Sequence, residues 1–149
     1  MNLSATQKML MEIKMQDRFK FRVFLKYNQI MCDIDSYCFL QGLNKCVFHF
    51  TNGGQKTLKN DDFILIQCTG LKDKKGKLIY EGDIVKIEYY DFEIKHRIGI
   101  VEWEDDGFCI TYHNPKDTKV SGCSLVDIVN GDKQEVIGNI YENPELLEV

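Results

Sequence analysis

The sequence predicts a mainly β protein that ends in a small barrel. Three observations carry that prediction. Apolar and polar residues alternate at period two in several short runs. Turn residues recur between those runs at regular spacing. After residue 15, no long stretch keeps the 3.6-residue period of an amphipathic helix. A chain of 149 residues can hold one compact domain or two small ones. We expect a β-rich N-terminal region over 1–68, with 1–15 as a helical or frayed leader, and a barrel over 69–149.

The elements follow in order. Ser4 and Gln7 have the spacing of a capping box, and Leu3, Leu10 and Ile13 form a thin apolar stripe, so 3–14 predicts a short helix. Phe19, Phe21, Val23 and Leu25 point one way and Lys20, Arg22 and Lys26 the other. That pattern predicts a half-buried strand with a solvated basic face, which Phe24 alone interrupts. Residues 26–29 read as a turn and 30–34 as a strand. A weakly patterned region runs on to the apolar stretch 47–50. Thr51-Asn52-Gly53-Gly54 is a turn, and 63–68 is an apolar strand.

Asp73 to Gly76 is turn chemistry, with Gly76 suited to a positive φ. Glu81-Gly82-Asp83 is a second turn. It leads into a strand over 83–90, with Val85, Ile87 and Tyr89 on one face. Strands follow at 98–103 and 108–113, joined through Asp106-Gly107, a strong hairpin signal. Asn114-Pro115 stops the second of them. An apolar run covers 124–129, closed by Asn130-Gly131. The last strand covers 135–141, and Pro144 opens a final helical turn. The strands after Gly82 suffice to close a small barrel, which would remove exposed edges.

Composition excludes several classes. The net charge of −4 lacks the strongly basic balance of a typical nucleic-acid binder, although a local patch stays open. No apolar run approaches the roughly 20 residues of a membrane span. The first residues lack the apolar centre of a secretory signal, so the six cysteines are expected in a reducing compartment. None forms a C-x-x-C pair. Burial as small hydrophobes is the expectation, with Cys68, Cys109 and Cys123 in or beside strands.

No catalytic constellation or metal-ligand spacing emerges from the residues. His49, His96 and His113 show no paired spacing. Cys109 and His113 would lie roughly 13 Å apart along one strand, too far to hydrogen-bond. No cofactor motif occurs, and we expect a protein that is not an enzyme. The one candidate surface combines Lys72, Lys74, Lys75 and Lys77 with Trp103, Tyr90 and Tyr112. Basic and aromatic groups together hold single-stranded nucleic acid. The alternative is that the lysines keep a turn soluble and that Trp103, on the face of Val101, belongs to the core.

Two long motifs carry a resemblance. The stretch TGLKDKKGKLIYEGDIV over 69–85 resembles the central signature of the YopX family of phage and prophage proteins, and VIGNIYENPELL over 136–147 resembles its C-terminal signature. Gly99-Ile100-Val101-Glu102-Trp103 is similar to the family's middle strand, and Phe19 to Arg22 to its opening strand. Relatives usually continue that opening strand into a tryptophan–aspartate pair, where this chain has Phe24-Leu25. The resemblance implies an SH3-type barrel at the C-terminal end and a cytoplasmic setting in a bacterial or phage-infected cell. It supplies no catalytic residues. The expected role is a non-enzymatic binding module for a protein partner. Nucleic-acid binding through Lys72 to Lys77 is the alternative and an enzyme of unknown class the third reading. Self-association by strand addition is a further expectation.

Overall fold

The computed structural model describes residues 4–9, 17, 19–105, 107–114, 117–124 and 134–148. Among these residues, eleven strands form two antiparallel sheets. The first sheet holds β1 (Phe21–Leu25), β2 (Ile30–Leu40), β3 (Lys45–Phe50), β4 (Gln55–Lys59), β5 (Phe63–Lys72) and β6 (Leu78–Tyr80), in the order β4-β3-β2-β1-β5-β6. The second holds β7 (Asp83–Asp91), β8 (Glu93–Glu104), β9 (Gly107–Asn114), β10 (Asp117–Ser124) and β11 (Gln134–Asn139), in the order β10-β9-β8-β7-β11. Its order is open: among the described residues, β10 and β11 are its edges, and no strand pair closes a barrel. No described helix is long and apolar enough to cross a membrane.

Residues 5–9 are helical, and their capping box forms as the spacing requires. The Ser4 N–H donates to Gln7 Oε1 at 2.9 Å, and the Gln7 N–H donates to Ser4 Oγ at 3.2 Å. At the other end, Pro144 opens a short 3-10 turn over Pro144–Leu147. The turns at 26–29, 51–54, 73–76 and 81–82 stand where turn chemistry places them, and Gly76 and Gly82 take positive φ.

β1 corrects the sequence expectation. It is no half-exposed strand with a solvated basic face: β2 and β5 pair with its two edges, and a hydrophobic core covers each of its faces. Val23 and Leu25 enter a core with Cys46, Phe48, Leu58 and Phe63. Phe24, the residue out of pattern, enters a second core with Ile66, Cys68 and Tyr80 on the opposite face. Arg22 is turned inward onto Asp83. Phe19 lies before the strand and is exposed.

Other differences have plain causes. The weakly patterned region is the second half of β2 and a tight turn at 41–44, where Gly42 and Asn44 take positive φ. β4 escapes notice because QKTLK buries only Leu58, as suits a polar edge strand. A tenth strand follows Pro115, paired with β9 across two register shifts. Of the apolar run 124–129, Ser124 ends β10, and the rest, with Asn130-Gly131, lies outside the described residues. β11 ends at Asn139, so Ile140 and Tyr141 belong to the following turn. Cysteine burial holds for Cys46 and Cys68, whereas Cys32 and Cys109 are half-buried and Cys38 is exposed.

β5 runs unbroken across position 68 and then bulges: Cys68 pairs with Tyr80 and Lys72 with Leu78. Thr69 and Gly70 occupy the bulge. The Thr69 hydroxyl donates to the Ile79 carbonyl at 2.8 Å and accepts from the Leu71 N–H at 3.1 Å, while Gly70 takes φ +78°. Past the bulge, the ends of β5 and β6 pack against the second sheet. Ile79 accordingly joins the second-sheet core of Val85, Ile87, Val101, Ile110 and Val136, while its neighbour Tyr80 joins Phe24.

Candidate binding cleft

The lysine-rich turn is built around one carboxylate. Asp73 Oδ1 accepts from the N–H groups of Lys75 and Lys77, both at 2.9 Å, and Oδ2 accepts from the Val136 N–H at 3.0 Å. The Lys74 N–H donates to the Gln134 carbonyl at 2.9 Å. The turn is thus stapled to β11. Two of its cations are compensated. Lys74 lies 2.8 Å from Glu88 and 3.3 Å from Glu135, and Lys75 pairs with Glu135. The Glu88 hydrogen bond, then Glu135, raises the Lys74 pKa, and the lysines hold Glu88 and Glu135 below the ordinary glutamate value. Such a loop offers less net positive charge than four lysines suggest.

The aromatic candidates do not gather around it. Tyr90 is exposed and pairs across the β7–β8 hairpin with Ile94, near the exposed Phe92. Tyr112 lies on β9 with the Arg97 guanidinium 5.5 Å from its ring centre. Trp103 sits near the far end of β8, roughly 30 Å from the hairpin tip at ~3.3 Å per residue. Its expected place in the core is not observed. Val101 is fully buried, but Trp103 is 54% exposed, held edge-on against Phe108 with ring centres 4.9 Å apart. The face continues past the cover.

That missing cover is a cleft of about 270 Å³. One wall is Glu81 and Gly82, the other is β8 from Ile100 to Glu104, and Ile140 and Tyr141 complete the lining. Local chemistry builds it. Gly82 takes φ +77°, donates its N–H to the Val101 carbonyl at 2.7 Å and accepts from the Ile140 N–H at 2.9 Å. A Cβ there would meet Tyr141 Cε2 at 3.0 Å, so this wall needs glycine. Tyr141 in turn stacks on Phe24 of the first sheet, 5.1 Å between ring centres. Burial, then the Glu81 charge, pushes the Tyr141 phenol up. Because β7 starts at Asp83, β8 beyond Val101 has a strand neighbour only on the β9 side among the described residues.

Asp83, next in sequence to the Gly82 wall, belongs to a buried polar latch. Arg22 Nη2 donates to Asp83 Oδ1 at 2.7 Å, the Tyr80 N–H donates to Asp83 Oδ2 at 2.8 Å, and the guanidinium carbon lies 3.7 Å from the Tyr80 ring centre. Burial raises the Asp83 pKa against the pull of Arg22, and it pushes the Tyr80 phenol up to about 12. A second tie uses the last turn. Asn139 Oδ1 accepts from the N–H groups of Tyr141 and Glu142, Glu142 Oε2 accepts from Asn139 Nδ2, and Glu142 Oε1 accepts from the Met31 N–H at 3.2 Å. Both ties join the second sheet to β1 and β2. The Cys68 thiol, nearby, is raised by burial and stays protonated at neutral pH. Among the described residues, no three of His, Cys, Asp and Glu are grouped to hold a metal ion.

Of the sequence candidates, only Trp103 lies in the cleft. Glu81, Glu102 and Glu104 line it as well; the sequence presents Glu102 and Glu104 only as part of a solvated acidic hairpin tip. A signal for Glu81 existed, since it precedes a glycine that must turn into a strand. The YopX protein family profile matches residues 20–148. The crystal structure of protein EF1440 from Enterococcus faecalis is similar, with a TM-score of 0.58 and 26% identity, covering 87% of this chain and 97% of that one. No curated protein matches the chain.

Proposed function

The chain belongs to the YopX family, and from that premise we propose a non-enzymatic binding module that engages a protein partner at the cleft beside Trp103. One observation carries the reading: a large aromatic, 54% exposed, stands in a preformed cleft at a strand edge that no described strand pairs. Exposed tryptophans in such positions are common anchors of protein interfaces. The volume supports a protein partner over a metabolite. About 270 Å³ falls below the roughly 300–1,000 Å³ of small-molecule sites and suits one or two side chains. The compensated Lys74 and Lys75 favour this reading over nucleic-acid binding. An SH3-type barrel and a cytoplasmic setting in a bacterial or phage-infected cell belong to the same proposal.

The test is comparative capture. Full-length chain, Trp103→Ala and Trp103→Phe are immobilised and exposed to host-cell lysate at several salt concentrations, and captured proteins are quantified. A hot-spot tryptophan predicts that at least one protein falls tenfold or more with Ala and less with Phe. Equal capture by all three, with circular dichroism unchanged, overturns the assignment.

A further inference from the structure

We propose that the occupant of the cleft is an extended segment of the partner with a basic–apolar–basic pattern, added as a strand to the free edge of β8. This rests on the reading of Trp103 as the partner site and specifies the partner's chemistry. The edge comes first. The Val101 carbonyl points toward β7, where it accepts from the Gly82 N–H. Alternate residues of an antiparallel strand turn their N–H and C=O to the same side. Trp103 therefore turns its own main-chain groups into the cleft, where no described strand meets them. An incoming extended chain can satisfy both, as in strand addition to other sheet edges.

Charge then selects the occupant. Among the described residues, the lining carries three carboxylates, Glu81, Glu102 and Glu104, and no basic residue. A nucleic-acid backbone would meet repulsion there. Residues directly opposite in an antiparallel pair share a face. Glu102 and Glu104 lie on one face and Trp103 on the other. A strand docked on this edge thus places two side chains beside the glutamates and one beside the indole. Lysine or arginine suits the first two positions and an apolar side chain the third. Exposed edges are normally guarded by charge; an acidic guard admits a basic strand and rejects an acidic one.

The experiment titrates the full chain with blocked peptides alternating lysine and valine, read by the fluorescence of Trp103, the chain's single tryptophan. The lysine–valine peptide is expected to change the emission, with affinity falling as salt rises. Glu102→Gln and Glu104→Gln should each weaken it about two- to fivefold. Asp61→Asn and Glu93→Gln, each of which changes net charge by the same amount but away from the cleft, should leave it unchanged. A backbone N-methylated peptide should bind tenfold worse or more. Equal binding of a glutamate–valine peptide, competition by an oligonucleotide, indifference to N-methylation or to the two glutamate substitutions, or an unchanged emission overturns the proposal. Should capture depend on Trp103 while basic peptides fail, the inference falls and the binding-module reading stands.

Discussion

Replacing Asp83 by asparagine should loosen the joint between the two sheets. Asp83 is 1% exposed, and its partner Arg22 has a side chain 12% exposed. The substitution keeps an acceptor for the Tyr80 N–H but leaves the guanidinium without a counter-charge. Removing one partner of a buried pair costs about 3–5 kcal/mol, because the remaining charge stays desolvated. For a chain of this size 1 kcal/mol is about 2–4 °C, so the Tm should fall by roughly 10 °C. The double substitution Arg22→Met with Asp83→Asn removes both charges, keeps the acceptor for the Tyr80 N–H and should recover most of that loss. Urea unfolding followed by Trp103 emission, which reports the second sheet, and by far-ultraviolet circular dichroism, which reports both, measures the effect. A loss under about 1 kcal/mol for the single substitution, or a double variant no better than the single, would refute the latch.

Three further outcomes follow from the same geometry. Glu88 and Glu135 titrate below the ordinary 4.5, so their contribution is whole above that value and is lost as pH falls through their folded pKa. Glu88→Gln with Glu135→Gln should therefore flatten the acid limb of stability against pH, and urea midpoints at neutral pH and at about pH 3 check this. At Gly138 an added Cβ would meet Asn143 Oδ1 at 2.7 Å and Leu146 Cδ1 at 2.8 Å, so Gly138→Ala should cost about 1–3 kcal/mol by thermal melting. Alanine at Lys72, Lys74, Lys75 and Lys77 together should change no low-salt gel shift with DNA or RNA; a shift that these substitutions abolish would favour the nucleic-acid reading.

Much of the architecture is legible because turns and alternation are local. Gly76, Gly82 and the Ser4–Gln7 box each state their conformation within a few residues. What escapes is non-local. Arg22 looks solvated because it sits between Lys20 and Lys26 on the polar phase of a strand, while its partner Asp83 lies 61 residues away. Trp103 looks buried because it shares a phase with Val101, but β7 begins too late to help cover it. The cleft is therefore invisible in the sequence: it arises from a difference in strand length between neighbours. The lysine turn misleads in the other direction, since Glu88 and Glu135 reach it from separate strands.

The central claim is that the partner meets the chain at Trp103. A photo-crosslinking residue at position 103, with controls at Phe92 on the hairpin tip and Lys72 beside the lysine turn, tests it directly in lysate. The account predicts a discrete adduct from position 103 that is absent from both controls. An adduct from position 92 or 72 with none from 103 would contradict it.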